Sequence, residues 1–208
     1  MWKIATGIIA LLAVGAGIAF WLAGWFEQPN VMEKPAGPYL MVYEKFEGEY
    51  QQAGEKLLDM THVLKAQGLH PVKQFYMYFD NPLESERGRL RYIAGIILDE
   101  ADASRFPEIA QTYVVRTFPL QDCLKAVTSY RTRLSTLFGI MKVYPALEKL
   151  REQRGYAKNP FVEIYDETNQ LIVYLLPVES RTKWTEDYYL RAEVAGQAAP
   201  VTPSAKTP

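Results

Sequence analysis

Asn159-Pro160-Phe161-Val162-Glu163-Ile164-Tyr165-Asp166 is the stretch on which the reading of this chain turns. Apolar and β-branched residues lie between a turn signal, Lys158-Asn159-Pro160, and a second one, Asp166-Glu167-Thr168-Asn169, so the stretch reads as a strand. Side chains alternate along a strand. Phe161, Glu163 and Tyr165 therefore share one face, and Val162 and Ile164 the other. Leu171 to Leu176 follows after a short turn, which puts Glu163 in a hairpin within an apolar sheet. A carboxylate there is costly unless something pairs with it. It reads either as an exposed or Arg-paired structural residue or as a functional counter-charge.

Working outward, the hairpin is the end of a pattern that occurs twice. Tyr39 to Phe46 reads as a strand. Gln51 to Gln67 reads as a helix with the apolar stripe Ala53, Leu57, Met60 and Leu64, stopped at Gly68. Val72 to Phe79 and Leu90 to Leu98 read as strands, and Arg87 to Arg91 is a basic run best read as a solvated hairpin edge. Glu100 to Glu108 reads as a loop and Thr112 to Thr117 as a strand. Cys123 to Ser129 then opens a second copy. Its helix runs from Arg131 with a stripe of Leu134, Leu137, Phe138 and Met141; Pro145 breaks, kinks or restarts it, Leu147 and Leu150 continue the stripe, and Gly155 stops it. Matching Met77-Tyr78-Phe79-Asp80 to Glu163-Ile164-Tyr165-Asp166 puts Met77 where the second copy has Glu163. The expected fold is α+β: a duplicated strand-helix-strand-strand repeat, helices on one side, with a cleft between the halves.

The ends are of another kind. Ile4 to Phe26 is uncharged, long enough for a hydrocarbon core of roughly 30 Å, and flanked by Trp2, Trp21 and Trp25. It reads as one transmembrane helix, an uncleaved anchor in the lipid bilayer through residues 4–26. The amino terminus and Lys3 precede it, which leans towards an amino terminus in the cytoplasm and a domain outside, periplasmic in a bacterium. The expected division is an anchor at 1–28, a linker at 29–37, the domain at 38–179, a segment at 180–194 packing back through Trp184, Tyr188 and Tyr189, and a disordered tail at 195–208.

Composition narrows the chemistry. The chain has 208 residues, a formal charge of −1, fourteen tyrosines, two histidines and one cysteine. Near-neutral charge without a basic stripe gives no argument for nucleic acid, and no nucleic-acid partner is expected. One cysteine and two histidines predict no metal site, and no Gly-rich phosphate loop or nucleophile elbow is present. No cofactor is expected.

Gly48-x-Tyr50, Tyr78-Phe79-Asp80-Asn81-Pro82 and above all Pro160-Phe161-Val162-Glu163-Ile164-Tyr165 with Leu176-Pro177 carry a family resemblance. From Pro38 to Glu179 the chain resembles the GyrI-like small-molecule-binding domains, whose fold is also SOUL-like. With its anchor and Val143-Tyr144-Pro145-Ala146-Leu147 it is similar to the animal endoplasmic-reticulum autophagy receptors of that family. Their long acidic tail with an aromatic-x-x-aliphatic motif has no match in Trp184-x-x-Asp187 or Tyr188-x-x-Arg191. The resemblance implies amphipathic cations or planar aromatics bound between the repeats, with Glu163 as counter-charge. It also implies, for some members, hydrolysis of strained electrophilic rings by that Glu and a tyrosine.

Three functions follow as expectations. The first is a membrane-anchored module binding a cationic or aromatic ligand through Glu163, Tyr165, Tyr43, Tyr50, Tyr76, Tyr78 and Tyr130. The second is a metal-independent hydrolase using Glu163 and Tyr165 as catalytic pair. The third is a membrane-tethered scaffold or receptor for a protein partner.

Overall fold

The computed structural model describes residues 2–22, 28–48, 51–80, 90–179 and 186–190. Helix α1 (Trp2–Leu22) and strand β1 (Met32–Ala36) precede the first copy of the repeat, which is β2 (Tyr39–Glu47), α2 (Gln51–Ala66), β3 (Pro71–Tyr78) and β4 (Arg91–Leu98). A 3-10 turn at Glu100–Arg105, α3 (Phe106–Ile109) and β5 (Val114–Phe118) lead to the second copy: β6 (Gln121–Ser129), α4 (Arg133–Arg154), β7 (Phe161–Asp166) and β8 (Leu171–Pro177). A single π turn, Glu186–Leu190, follows. The eight strands make one antiparallel sheet in the order β1-β6-β8-β7-β3-β4-β2-β5. The duplication is plain in that order: β6-β8-β7 and β2-β4-β3 mirror each other about the central β3–β7 pair.

The pairing there is Tyr78↔Phe161, Met77↔Val162, Tyr76↔Glu163, Phe75↔Ile164 and Gln74↔Tyr165. The position opposite Glu163 is thus Tyr76. The motif alignment, which chose Met77, is one residue out. A two-fold axis normal to the sheet keeps a side chain on its own face, and Met77 points to the other one.

Both helices cover one face. The α2 stripe Ala53, Leu57, Met60 and Leu64 is buried there with Val42, Tyr92, Ile96, Val143, Tyr144, Leu147 and Tyr174. The opposite face holds Met41, Tyr43, Phe75, Met77, Ile93, Val162, Ile164 and Leu175, with Tyr188 of the π turn over them. Gly68 and Gly155 take positive φ, 75° and 69°, where the two helices stop, which is the conformation that favours glycine at such ends.

Three local expectations change. Residues 29–37, read as a linker, contain β1, paired with β6 from Met32↔Lys125 to Ala36↔Gln121. The strand lies at the sheet edge, where Pro35 need not donate to a neighbour on both sides. Residues 100–108, read as loop, fall in the 3-10 turn and α3. Helix α4 runs unbroken through Pro145, which is solvent-exposed, on the side where the carbonyl it leaves unpaired can be hydrated.

The α4 stripe also moves. Leu137 and Met141 are 51% and 52% exposed, while Ser135, Gly139, Val143, Tyr144 and Leu147 are buried. The side chains of Leu134 and Phe138 lie outside the described ones. A Cβ on Gly139 would stand 2.0 Å from the Tyr174 hydroxyl oxygen. Only glycine lets the helix sit this close to β8, so the buried face is built on small residues that hydrophobic periodicity does not register.

Helix α1 is 21 residues long, about 31 Å at 1.5 Å per residue, with residues 2–21 exposed. It is long and apolar enough to cross a bilayer. Arg91 clamps Asp80 with two bonds, Nε to Oδ2 at 2.9 Å and an amino nitrogen to Oδ1 at 2.7 Å. The rest of the basic run, Arg87 and Arg89, lies outside the described residues.

Candidate functional site

The alternation of β3 and β7 puts Tyr76, Tyr78, Phe161, Glu163 and Tyr165 on the helix-covered face, side by side at the centre of the sheet. Helices α2 and α4 stand over the two halves, and between them a cavity of about 780 Å³ opens above this patch. Tyr76, Tyr78 and Tyr165 form its floor, Tyr130 and Gln74 its ends, Gly54 one wall, and Thr136, Leu137 and Ile140 the other. That volume is in the range of drug-sized ligand sites.

Glu163 does not line the cavity. It is fully buried beneath the floor. The Tyr165 hydroxyl donates to Oε2 at 2.6 Å and the Tyr144 hydroxyl to Oε1 at 2.9 Å. The Tyr78 hydroxyl stands 3.5 Å from Oε2, the outer limit of a hydrogen bond. Among the described residues no lysine or arginine forms an ion pair with it. Burial raises the Glu163 pKa above the usual carboxylate value, and the bonds from Tyr165, Tyr144 and Tyr78 pull it partly back. The same burial, with the Glu163 charge next in size, holds the hydroxyls of Tyr78, Tyr144 and Tyr165 well above the usual tyrosine value and pushes Tyr76 up to about 12. All four are donors at neutral pH.

The rings interlock. Tyr76 and Tyr165 meet edge to face at 5.5 Å, Tyr130 and Tyr165 likewise at 5.5 Å, and Tyr76 stacks on Tyr78 at 6.1 Å. Beside them Tyr144 of α4 stacks on Phe161 at 4.2 Å and meets Tyr174 edge-on at 6.2 Å. The Tyr174 hydroxyl is buried against α4 at Gly139, and the Thr128 hydroxyl lies beside it.

Of the residues singled out from the sequence, Glu163, Tyr165, Tyr76, Tyr78 and Tyr130 come together. Tyr43 does not. It is buried on the opposite face, packs edge-on to Phe75 at 6.3 Å and donates to the Tyr188 carbonyl at 3.1 Å. Strand alternation says which residues of β2 share a face, but not which face that is. Tyr50 lies outside the described residues. Tyr144 is the contributor that sequence reasoning missed, because the stripe chosen for α4 ran through Leu137 and Met141, which are exposed, before reaching the buried Leu147; a period anchored on Gly139 and Val143 would have found it.

No family model matches the chain. Human testis-expressed protein 264 is 26% identical over 166 residues, which is 77% of this chain and 50% of that protein. The chain thus spans half the length of this curated relative. The crystal structure of the EcmrR C-terminal domain superposes with a TM-score of 0.53 at 14% identity, over 73% of this chain and 98% of that one. EcmrR in a cryo-EM complex with DNA gives 0.55 at 17% identity, over 85% of this chain and 69% of that one. The exclusion of a nucleic-acid partner, drawn from net charge, therefore finds no support here: one neighbour is a DNA complex. The duplicated topology and these superpositions agree, and the chain has the α+β fold of the EcmrR C-terminal domain.

Proposed function

We propose that the chain is a membrane-anchored module that binds a small amphipathic cation, aromatic or alkyl, in the cleft between its repeats. One observation carries this reading: a tyrosine-floored cavity of about 780 Å³ lies directly over a buried carboxylate whose bonded partners are all tyrosine hydroxyls. Hydroxyls share the charge of Glu163 but do not neutralise it. A cation over Tyr76, Tyr78 and Tyr165 gains attraction from the ring faces, about 0.5–2 kcal/mol each, and from the carboxylate beneath them. In this reading α1 is the anchor, its amino terminus is cytoplasmic, and the domain lies on the far side of the membrane.

Hydrolysis is the second reading. The 2.6 Å bond between Tyr165 and Glu163 is the geometry of an acid–base pair. Glu163 sits behind the floor, however, so a water activated by it would have to lie beneath Tyr78 and Tyr165. That places binding first.

A thermal-shift series on the full chain with tetraphenylphosphonium, ethidium and the neutral analogue triphenylmethane tests the reading. Saturation at about 100 times the dissociation constant adds roughly 2.7 kcal/mol of stability. The cations should raise Tm and triphenylmethane should not. Equal shifts from cations and neutral analogue, or none from any of them, would remove the counter-charge model.

A further inference from the structure

A second, smaller cavity of about 160 Å³ continues from the cleft. The two share Gln74, Tyr165 and Glu167 in their walls. Its chemistry is the reverse of the first. Thr61 and Lys65 of α2, Lys73 of β3 and Thr168 of the β7–β8 turn surround it, with few aromatic surfaces. Lys73 is already paired with Asp166, Nζ to Oδ2 at 3.1 Å. Lys65 and Glu167 line the same small cavity, carry opposite charges, and form no ion pair with each other or with any other described residue.

An unpaired ammonium and an unpaired carboxylate facing one cavity are complemented by a ligand with both charges. A plain cation satisfies Glu163 and Glu167 but brings like charge towards Lys65. A plain anion does the opposite. Building on the cation-binding reading above, we propose that the ligand is a zwitterion of the phosphocholine kind: an ammonium over the Tyr76, Tyr78 and Tyr165 floor, and a phosphate in the smaller cavity beside Lys65. Tyr76 and Gln74 are two residues apart on one face of β3, about 7 Å. A two- or three-carbon spacer bridges that distance. Glu167, at the junction, adds to the ammonium side. Such head groups come free or on a phospholipid, and the chemistry of recognition is the same.

Titration calorimetry of the full chain in a maltoside detergent decides the matter, with choline, phosphocholine, inorganic phosphate and dihexanoylphosphatidylcholine below its micellar concentration. Phosphocholine should bind at least tenfold tighter than choline, and phosphate alone weakly. Lys65 is exposed on the last turn of α2, so Lys65→Ala should fold, leave choline bound no more weakly and bring phosphocholine down to the choline level. Tighter binding of the short lipid than of phosphocholine identifies a membrane source, and equal binding a soluble one; either supports the proposal. Equal affinity for choline and phosphocholine, unmoved by Lys65→Ala, overturns it. The cation-binding reading then stands or falls separately, on whether Glu163→Gln weakens tetraphenylphosphonium.

Discussion

The two faces of β3 and β7 are made by alternate residues of the same strands, yet they behave as different materials. On one face Phe75, Met77, Val162 and Ile164 are at most 2% exposed, and Tyr43 and Tyr188 close over them. Those four side chains are apolar, and the Tyr43 hydroxyl beside them has a partner. On the other face Tyr76, Tyr78, Glu163 and Tyr165 lie under a cavity, with a carboxylate held among hydroxyls. The first face stabilises the fold. The second stores a charge that folding disfavours. A sheet two residues thick in its alternation can thus separate stability from binding at no distance.

The largest effect should come from the closed face. Phe75→Ala deletes a fully buried ring and should lower stability by about 3–5 kcal/mol, read by urea denaturation; a loss below 1 kcal/mol would mean that the face is not the close-packed one. Gly139→Ala comes next. Its Cβ would press on the Tyr174 hydroxyl, and overpacking of that kind costs about 1–3 kcal/mol. It should also disturb Tyr144, so tetraphenylphosphonium affinity should fall with it.

Glu163→Gln should act in the opposite sense. The folded-state pKa of Glu163 is raised, so its favourable contribution is present below the unfolded value of about 4.3 and is lost as pH rises through the folded value. Above that folded value the wild type carries the full penalty of the buried charge. Glu163→Gln should therefore match or exceed the wild type there by about 1 kcal/mol, or 2–4 °C in Tm for a domain of this size, and should show a shallower pH dependence. A Tm lowered at pH 8 but not at pH 4 would mean that the tyrosine bonds outweigh burial. Leu137→Ser, on the rim of the open face, should change stability by no more than about 0.5 kcal/mol, which a paired urea titration would resolve.

How much of this was legible in the sequence follows from what each signal encodes. Alternation in Phe161 to Tyr165 correctly put Glu163 and Tyr165 on one face, and the period of Ala53, Leu57, Met60 and Leu64 correctly oriented α2. Both are local signals carried by large apolar residues. Register between strands is not local. Tyr76 rather than Met77 opposes Glu163, and Tyr43 falls on the closed face, because a one-residue slip exchanges faces without altering composition. Helix α4 was misread for a different reason. Its buried face is Ser135, Gly139 and Val143, residues selected for closeness to β8, while Leu137 and Met141 face outwards. Tyr144, which donates to Glu163 from α4, was hidden by that same choice. The strand in residues 29–37 was masked by its prolines, which an edge strand tolerates.

The most direct test of the open face as a charge-complementary site is the dissociation constant of tetraphenylphosphonium for the full chain, measured at pH 8 for wild type and Glu163→Gln. Both proteins should be folded there, so a difference reports the site. A weakening of tenfold or more, with Tm unchanged or raised, is the expected result. Equal constants in a folded Glu163→Gln protein would contradict the role of the buried carboxylate as the counter-charge of the cleft.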